Sequence, residues 1–191
     1  MRPVFAIILG VFLAAIGVIM FVHDADFIFT GNTADLNQIL EENSEIPRDK
    51  YVTYTCSYCL GNYGETQSYW GFIPLPGKSQ QFAFIGENGM IISVKAGKKS
   101  LVEDLRVLSE SDYDEDYTPV TFTGCVQTNH PDLDRYLESY LSGVDFENSD
   151  MQLTYLEIDT TKTRPKLVFM YTAIILIGAG CIIFAVRKIR S

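Results

Sequence analysis

The sequence predicts an α+β domain, built on a mainly antiparallel sheet with about three helices, between two transmembrane α-helices. Three observations predict it. Two long runs near the ends carry no charge, and every one of the 24 carboxylates lies between Asp24 and Asp159. Between the runs, the hydrophobic period switches between the helical value of about 3.6 and the strand value of two.

Val4 to Val22 (VFAIILGVFLAAIGVIMFV) is 19 residues without an ionisable group, and Leu167 to Val186 is 20. At about 1.5 Å per residue, a 19-residue helix reaches about 28 Å, close to the roughly 30 Å hydrocarbon core of a bilayer. The expected organisation is a short cytoplasmic N-terminus at 1–3, a first span at 4–22, a domain at 23–166, a second span at 167–186 and a basic cytoplasmic tail at 187–191. Met1-Arg2 before an apolar run also suits a signal peptide, but His23-Asp24-Ala25 is not a small-x-small cleavage site, so an uncleaved anchor is expected.

Orientation follows from Lys and Arg near the span ends. Arg2 precedes the first span, and the next base after Val22 is Arg48. Lys162, Arg164 and Lys166 before the second span balance Arg187, Lys188 and Arg190 after it. The first span therefore decides: both termini cytoplasmic, residues 23–166 extracytoplasmic in a multi-pass protein of the cell membrane. Ala6, Gly10 and Ala14 line one face of the first span, and Gly178, Cys181 and Ala185 one face of the second. Small residues let helices approach closely in lipid, which suits a hairpin or a homodimer.

Residues 23–166 hold all 24 acids against 11 of the 15 bases, a formal charge of −13, while the ends carry +4. A domain of that charge is a poor partner for nucleic acid, whose affinity comes mainly from phosphate neutralisation.

Within the domain, Asn32 and Thr33 precede a short helix from about Ala34 carrying Leu36, Ile39 and Leu40, closed by Pro47. From Tyr51 the period becomes two: Val52, Tyr54, Cys56, Tyr58 and Leu60 on one face, Thr53, Thr55, Ser57 and Cys59 on the other. Gly61-Asn62-Tyr63-Gly64 reads as a turn, and strands follow at about Tyr69–Ile73, Gln81–Ile85 and Met90–Lys95, separated by Pro76-Gly77-Lys78-Ser79 and Asn88-Gly89. Ser100 and Glu103 offer a capping box for a helix with Leu101, Leu105 and Leu108. Val120–Gln127 is a strand with Val120, Phe122, Gly124 and Val126 on one face and Thr121, Thr123, Cys125 and Gln127 on the other. Pro131 opens a helix that Gly143 closes, and a last strand runs from about Gln152 to Ile158.

Cys56-Ser57-Tyr58-Cys59 has the C-x-x-C spacing of a redox pair or half a zinc site. A redox pair normally opens a helix, whereas residues three apart on a strand point to opposite faces. Adding Cys125 and His130 as zinc ligands meets the same obstacle. A Cys59–Cys125 disulfide is open if their strands are neighbours, since an oxidising compartment permits it. Cys181 reads as a packing residue. Gly77-Lys78-Ser79 lacks the earlier glycine of a phosphate loop, because position 72 is Phe72. Asp112, Asp114, Glu115 and Asp116 lack the EF-hand pattern and read as a solvated loop. His130 reads as serving the helix start before Pro131. No catalytic residue, metal ligand or cofactor is expected.

The first span, YVTYTCSYCLGNYGETQ, FAFIGENGMIISVKAG, VTFTGCVQ with the following PDLDRYLESYL, and the second span together resemble a family of small two-span bacterial membrane proteins of unknown function. The resemblance implies a bacterial cell membrane and carries over no functional residue. In topology alone the chain is similar to the membrane-flanked domain of a mitochondrial ubiquitin ligase; with the chain stopping at Ser191 there is no room for a RING domain, and that activity is not expected. The expected function is non-enzymatic: a membrane-anchored module binding another envelope protein or a ligand just outside the membrane. The alternative is thiol-redox or metal chemistry through Cys56, Cys59 and Cys125.

Overall fold

The structure is a computed structural model and describes residues 3–70, 73–86, 88–111, 118–143 and 151–190. The chain divides into two compact units: 1–32 with 162–191, and 33–161.

The first unit is a pair of long apolar helices, α1 (Pro3–His23) and the C-terminal α6 (Arg164–Arg190), with a short α2 (Ala25–Thr30) that the sequence reading missed. α1 and α6 are long and apolar enough to cross a membrane, and only 17% of the most apolar stretch of each is buried. A core helix of a soluble protein would be mostly buried. Here large side chains such as Ile19 and Phe169 stand 68% and 78% exposed. The two helices run antiparallel, and the small residues are where they touch. A Cβ on Gly10 would lie 2.6 Å from the Gly178 carbonyl oxygen, and one on Gly178 2.6 Å from the Gly10 oxygen. The small faces thus meet each other within one chain. At the ends of the helices, the Tyr171 hydroxyl donates to Asp24. The Arg164 guanidinium donates from Nε and Nη2 to the Ile28 carbonyl at 2.9 and 2.7 Å, satisfying the C-terminal carbonyls of α2.

The second unit contains β1 (Ala34–Asp35), α3 (Leu36–Glu41), β2 (Tyr51–Cys56), β3 (Cys59–Trp70), β4 (Ile73–Ile85), β5 (Met90–Ala96), α4 (Lys99–Glu110), β6 (Val120–Thr128), α5 (Pro131–Leu141) and β7 (Gln152–Asp159). The strands form one seven-stranded sheet in the order β1-β2-β6-β7-β5-β4-β3. The sheet is mixed: β1–β2 and β5–β7 are parallel, the other pairs antiparallel.

β2 and β3 lie near opposite edges of this order, yet only Ser57 and Tyr58 separate them in sequence. That link rolls the sheet round its inner face. Tyr54 of β2 stacks on Phe84 of β4 with ring centroids 4.4 Å apart, and Phe122 of β6 meets both edge-on. Val52, Phe82, Ile92, Val94, Val126 and Ile158 complete this core, with Leu36 and Leu40 of α3 and Leu105 and Leu108 of α4.

Three local expectations are corrected. The glycines of Gly61-Asn62-Tyr63-Gly64 lie inside β3, at register shifts against β4, and Pro76-Gly77 falls inside β4, within another such shift. Both read as turns because bulges use the same residues. The capping box at Ser100 does not form, since the N-cap of α4 lies two residues earlier, at Lys98. α3 is capped by Asp35, whose side chain accepts from the amides of Asn37 and Gln38, and not by Asn32 or Thr33. Asp112, Asp114, Glu115 and Asp116 lie outside the described residues.

Candidate functional site

Strands alternate, so each inner-face residue has an outer-face neighbour. On the outer face the register assembles two rows: Gln127, Glu157 and Ser93 in one, Asp159, Lys95 and Gln81 in the other. Period-two reasoning puts such residues in water. Four of the six are buried instead, Gln81 at 0%, Ser93 at 1%, Glu157 at 3% and Asp159 at 4% exposure, and Gln127 and Lys95 are half-buried. Helix α5 lies over part of this face, with Leu137 packed on Ala83 and Ile91. Two tyrosines fix it there. Tyr140 Oη donates to the Leu60 carbonyl at 2.6 Å, and Tyr155 Oη, from a bulged stretch of β7, donates to Glu138 Oε1 at 3.1 Å. Gly61, at φ 126°, makes the first contact feasible, because a Cβ there would sit 2.6 Å from Tyr140 Oη.

A polar network results. Gln127 Nε2 donates to Glu157 Oε1 at 2.6 Å and reaches Asp159 Oδ2 at 3.5 Å. Asp159 Oδ1 accepts from the Thr161 amide at 2.8 Å and the Thr161 hydroxyl at 2.6 Å, while Lys95 Nζ stands 3.8 Å from Oδ2. Tyr63 Oη donates to Ser93 Oγ at 2.8 Å. Asp159 is well supplied; the atoms round Tyr63 are not. Glu157 Oε2, Gln81 Oε1, Asp134 Oδ1 and both amide atoms of Asn129 are buried and without a hydrogen-bond partner among the described residues.

Burial raises the Glu157 carboxyl above the usual glutamate range, and the charge on Asp159 adds to the rise; Gln127, Lys95 and Gln81 oppose it. Burial also pushes the Tyr63 phenol up to about 12, with Ser93 and the neighbouring Asn129 pulling the other way. The cluster therefore joins a carboxyl whose pKa is raised, the amides of Gln81, Gln127 and Asn129, and a phenol. Such a set orients polar neighbours at the expense of desolvated groups.

Beside it, on β2 and β6, the outer face carries a patch of threonines, exposed at Thr121 and Thr123 and half-buried at Thr53 and Thr55, with the exposed Asp35 of β1 opposite Thr53. Thr33 and Thr53 hydroxyls stand 2.8 Å apart, Thr53 and Thr123 3.2 Å, and Thr55 and Thr121 2.9 Å. These threonines form a ladder of hydroxyls on rigid strands. The open edge of β2 next to it is closed by Asn37, whose side-chain amide accepts from Thr55 N at 2.8 Å and donates to Thr55 O at 3.0 Å, taking the place of a further strand.

The cysteines are spread apart. Cys56 and Cys59 both lie in the inner core, so the strand break at Ser57-Tyr58 returns Cys59 to the face of Cys56. Cys125 sits in β6 on the opposite face, with β7, β5 and β4 between its strand and that of Cys59. The neighbouring strands that a Cys59–Cys125 disulfide requires are not formed. All four thiols are free; Cys59 Sγ donates to the Ala83 carbonyl at 3.5 Å and Cys56 Sγ to that of Tyr58 at 3.3 Å. Burial pushes the Cys59 thiol up to about 11 and the Cys56 thiol further still, the opposite of what a nucleophile or metal ligand needs. His130 caps α5, its Nδ1 accepting from the Asp132 amide at 3.2 Å. Among the described residues, no group of three or more His, Cys, Asp or Glu side chains is placed to hold a metal ion.

The chain matches no family model, no curated protein and no solved structure.

Proposed function

We propose that the protein is a non-enzymatic interaction module of the bacterial cell envelope, anchored by α1 and α6 with both termini in the cytoplasm and residues 23–166 outside. The observation that carries the binding role is the threonine ladder. It is a partly exposed strand surface, free of charge on β2 and β6, in a domain whose formal charge is −13, and its hydroxyls are held in register by those two strands. Flat hydroxyl surfaces on strands offer donors and acceptors without the desolvation cost of charge. The orientation is supported by Arg2 lying before the first helix and by the long base-free stretch from Val22 to Arg48. With the small faces of α1 and α6 occupied by each other, the domain surface is left to contact a partner.

Crosslinking in intact membranes, followed by mild detergent extraction, tests the reading. A partner captured by the native chain and lost in the Thr121→Lys, Thr123→Lys double variant is the expected result. A chain that emerges alone with several crosslinkers overturns it.

A further inference from the structure

Gln81, Glu157, Asn129 and Asp134 come to the outer face from different parts of the chain: β4, β7, the residue after β6, and the first turn of α5. The backbone fixes each of them. Gln81 pairs with Lys95, and Glu157 with Ser93 and Gln127. Between the Ile91–Leu153 and Ser93–Glu157 rungs, β7 carries Thr154, Tyr155 and Leu156 where β5 has only Ile92, and Tyr155 takes a left-handed φ of 53° in this bulge. The Tyr155 carbonyl accepts from the Asn129 amide at 3.0 Å, and the His130 carbonyl from the Asp134 amide at 3.1 Å. The bulge thus holds the end of β6 and the start of α5 beside Glu157.

The four side chains converge round Tyr63. Its phenol is pulled down by Asn129 as a hydrogen-bonding neighbour and pushed up by the charges of Glu157 and Asp134, and Gln81 acts on the Glu157 carboxyl in the same neighbourly way. Their unpaired atoms are of nearly one kind. Gln81 Oε1, Glu157 Oε2, Asp134 Oδ1 and Asn129 Oδ1 are acceptors, and the only donor among the five is Asn129 Nδ2. Exchanging the ends of the Asn129 amide alters nothing, because both are unpaired. Three of the four residues are almost wholly enclosed, Gln81 at 0%, Glu157 at 3% and Asn129 at 4% exposure.

Acceptors cannot satisfy one another, so the guest that suits them brings positive charge. Lys95 stands 3.8 Å from Asp159 Oδ2 and balances that carboxylate, which leaves Glu157 and Asp134 with two formal negative charges. The donor set is all oxygen, which disfavours zinc, whose sites are built mainly from thiolate and imidazole. Magnesium demands a near-ideal octahedron, whereas calcium takes about six to eight oxygens in flexible geometry and mixes carboxylates with amide carbonyls. With two amide oxygens present, no third carboxylate is required.

We propose that Gln81, Glu157, Asn129 and Asp134 form a calcium site that ties the start of α5 to the sheet. The site lies wholly within the 33–161 unit, so it stands apart from the reading of α1 and α6 as spans and from the threonine ladder. The full chain in detergent micelles is stripped of metal with EDTA and dialysed. Its thermal unfolding is then followed as CaCl2 or MgCl2 is added at constant ionic strength, and calcium affinity is measured by isothermal titration calorimetry. The expected result is a rise in Tm with calcium that magnesium at the same concentration does not match, and an affinity at least about tenfold weaker in Glu157→Gln and in Asn129→Ala. Asp132→Asn, which alters an exposed carboxylate on the same turn as Asp134, should bind as the native chain does. Glu157→Gln keeps the side chain's shape and removes a buried charge, so it folds at least as well as the native chain in calcium-free buffer and its loss of affinity reads the site. No rise with calcium, or a rise that magnesium matches, overturns the site and leaves the unpaired atoms to water. A calcium response that survives in either site variant, or a loss that Asp132→Asn shares, overturns it as well, because the ion is then held by the acidic surface at large.

Discussion

The inner and outer faces of the sheet are made by the same strands and are both dry where α5 and the sheet's own curvature cover them, yet they differ in what burial does. On the inner face Phe82, Phe84, Val94 and Ile158 close on one another with no polar side-chain atom to satisfy. On the outer face the same strands bury Gln81, Ser93, Glu157 and Asp159, and Gln81 Oε1 and Glu157 Oε2 find no partner among the described residues. Burial thus stabilises on one side and is opposed by desolvation on the other. The fold is held from within, and the outer cluster is carried by it.

Four measurements sharpen or break that contrast. Phe84→Ala removes a ring that is 1% exposed and stacked on Tyr54, and should lower stability by about 3–5 kcal/mol in denaturant titration of the full chain in micelles. A loss below about 1 kcal/mol would locate the core elsewhere. Lys95→Met, on the outer face, leaves the Asp159 carboxylate 6% exposed beside Glu157 with its cation gone, and should lower stability by about 2 kcal/mol. Glu157→Gln should act in the opposite direction. Because folding raises the Glu157 pKa, the folded state binds its proton more tightly, and the associated stability is complete below the ordinary value of 4.5 and lost as pH rises through the raised value. The variant should therefore gain about 1 kcal/mol at neutral pH and lose the pH dependence between mildly acidic and neutral solution; equal slopes for both chains would remove Glu157 as its source. The gentlest probe changes no residue. Cys56 and Cys59 should resist a maleimide in the native chain and react only on unfolding, and rapid native labelling of either would contradict the closed inner face.

What the sequence disclosed follows the same division. The apolar helices were legible because length and lack of charge are all that a span requires: Val4–Val22 became Pro3–His23 and Leu167–Val186 lies within Arg164–Arg190. Inner-face residues were legible from alternation, as with Val52, Tyr54 and Cys56, or Phe122 and Val126. The outer cluster was not. Alternation separates Glu157 from Ile158 but says nothing about a helix folding back over the far side, as α5 does just before β7. The sheet order was hidden for a related reason, since parallel β5–β7 pairing depends on contacts distant in sequence. The glycine at position 61 looked like a turn, when its lack of a Cβ serves the Tyr140 hydroxyl.

The place of β7 bears on how the domain is made. It is the last strand in the chain and a central one in the sheet, joining β6 on one side to β5 on the other. Without it the earlier strands share no ladder between two ribbons, β1-β2-β6 and β5-β4-β3, each with an open edge where β7 lies. Neither ribbon can join the other until Gln152–Asp159, just before α6, has been made, so the sheet is completed by nearly the last residues of its own unit.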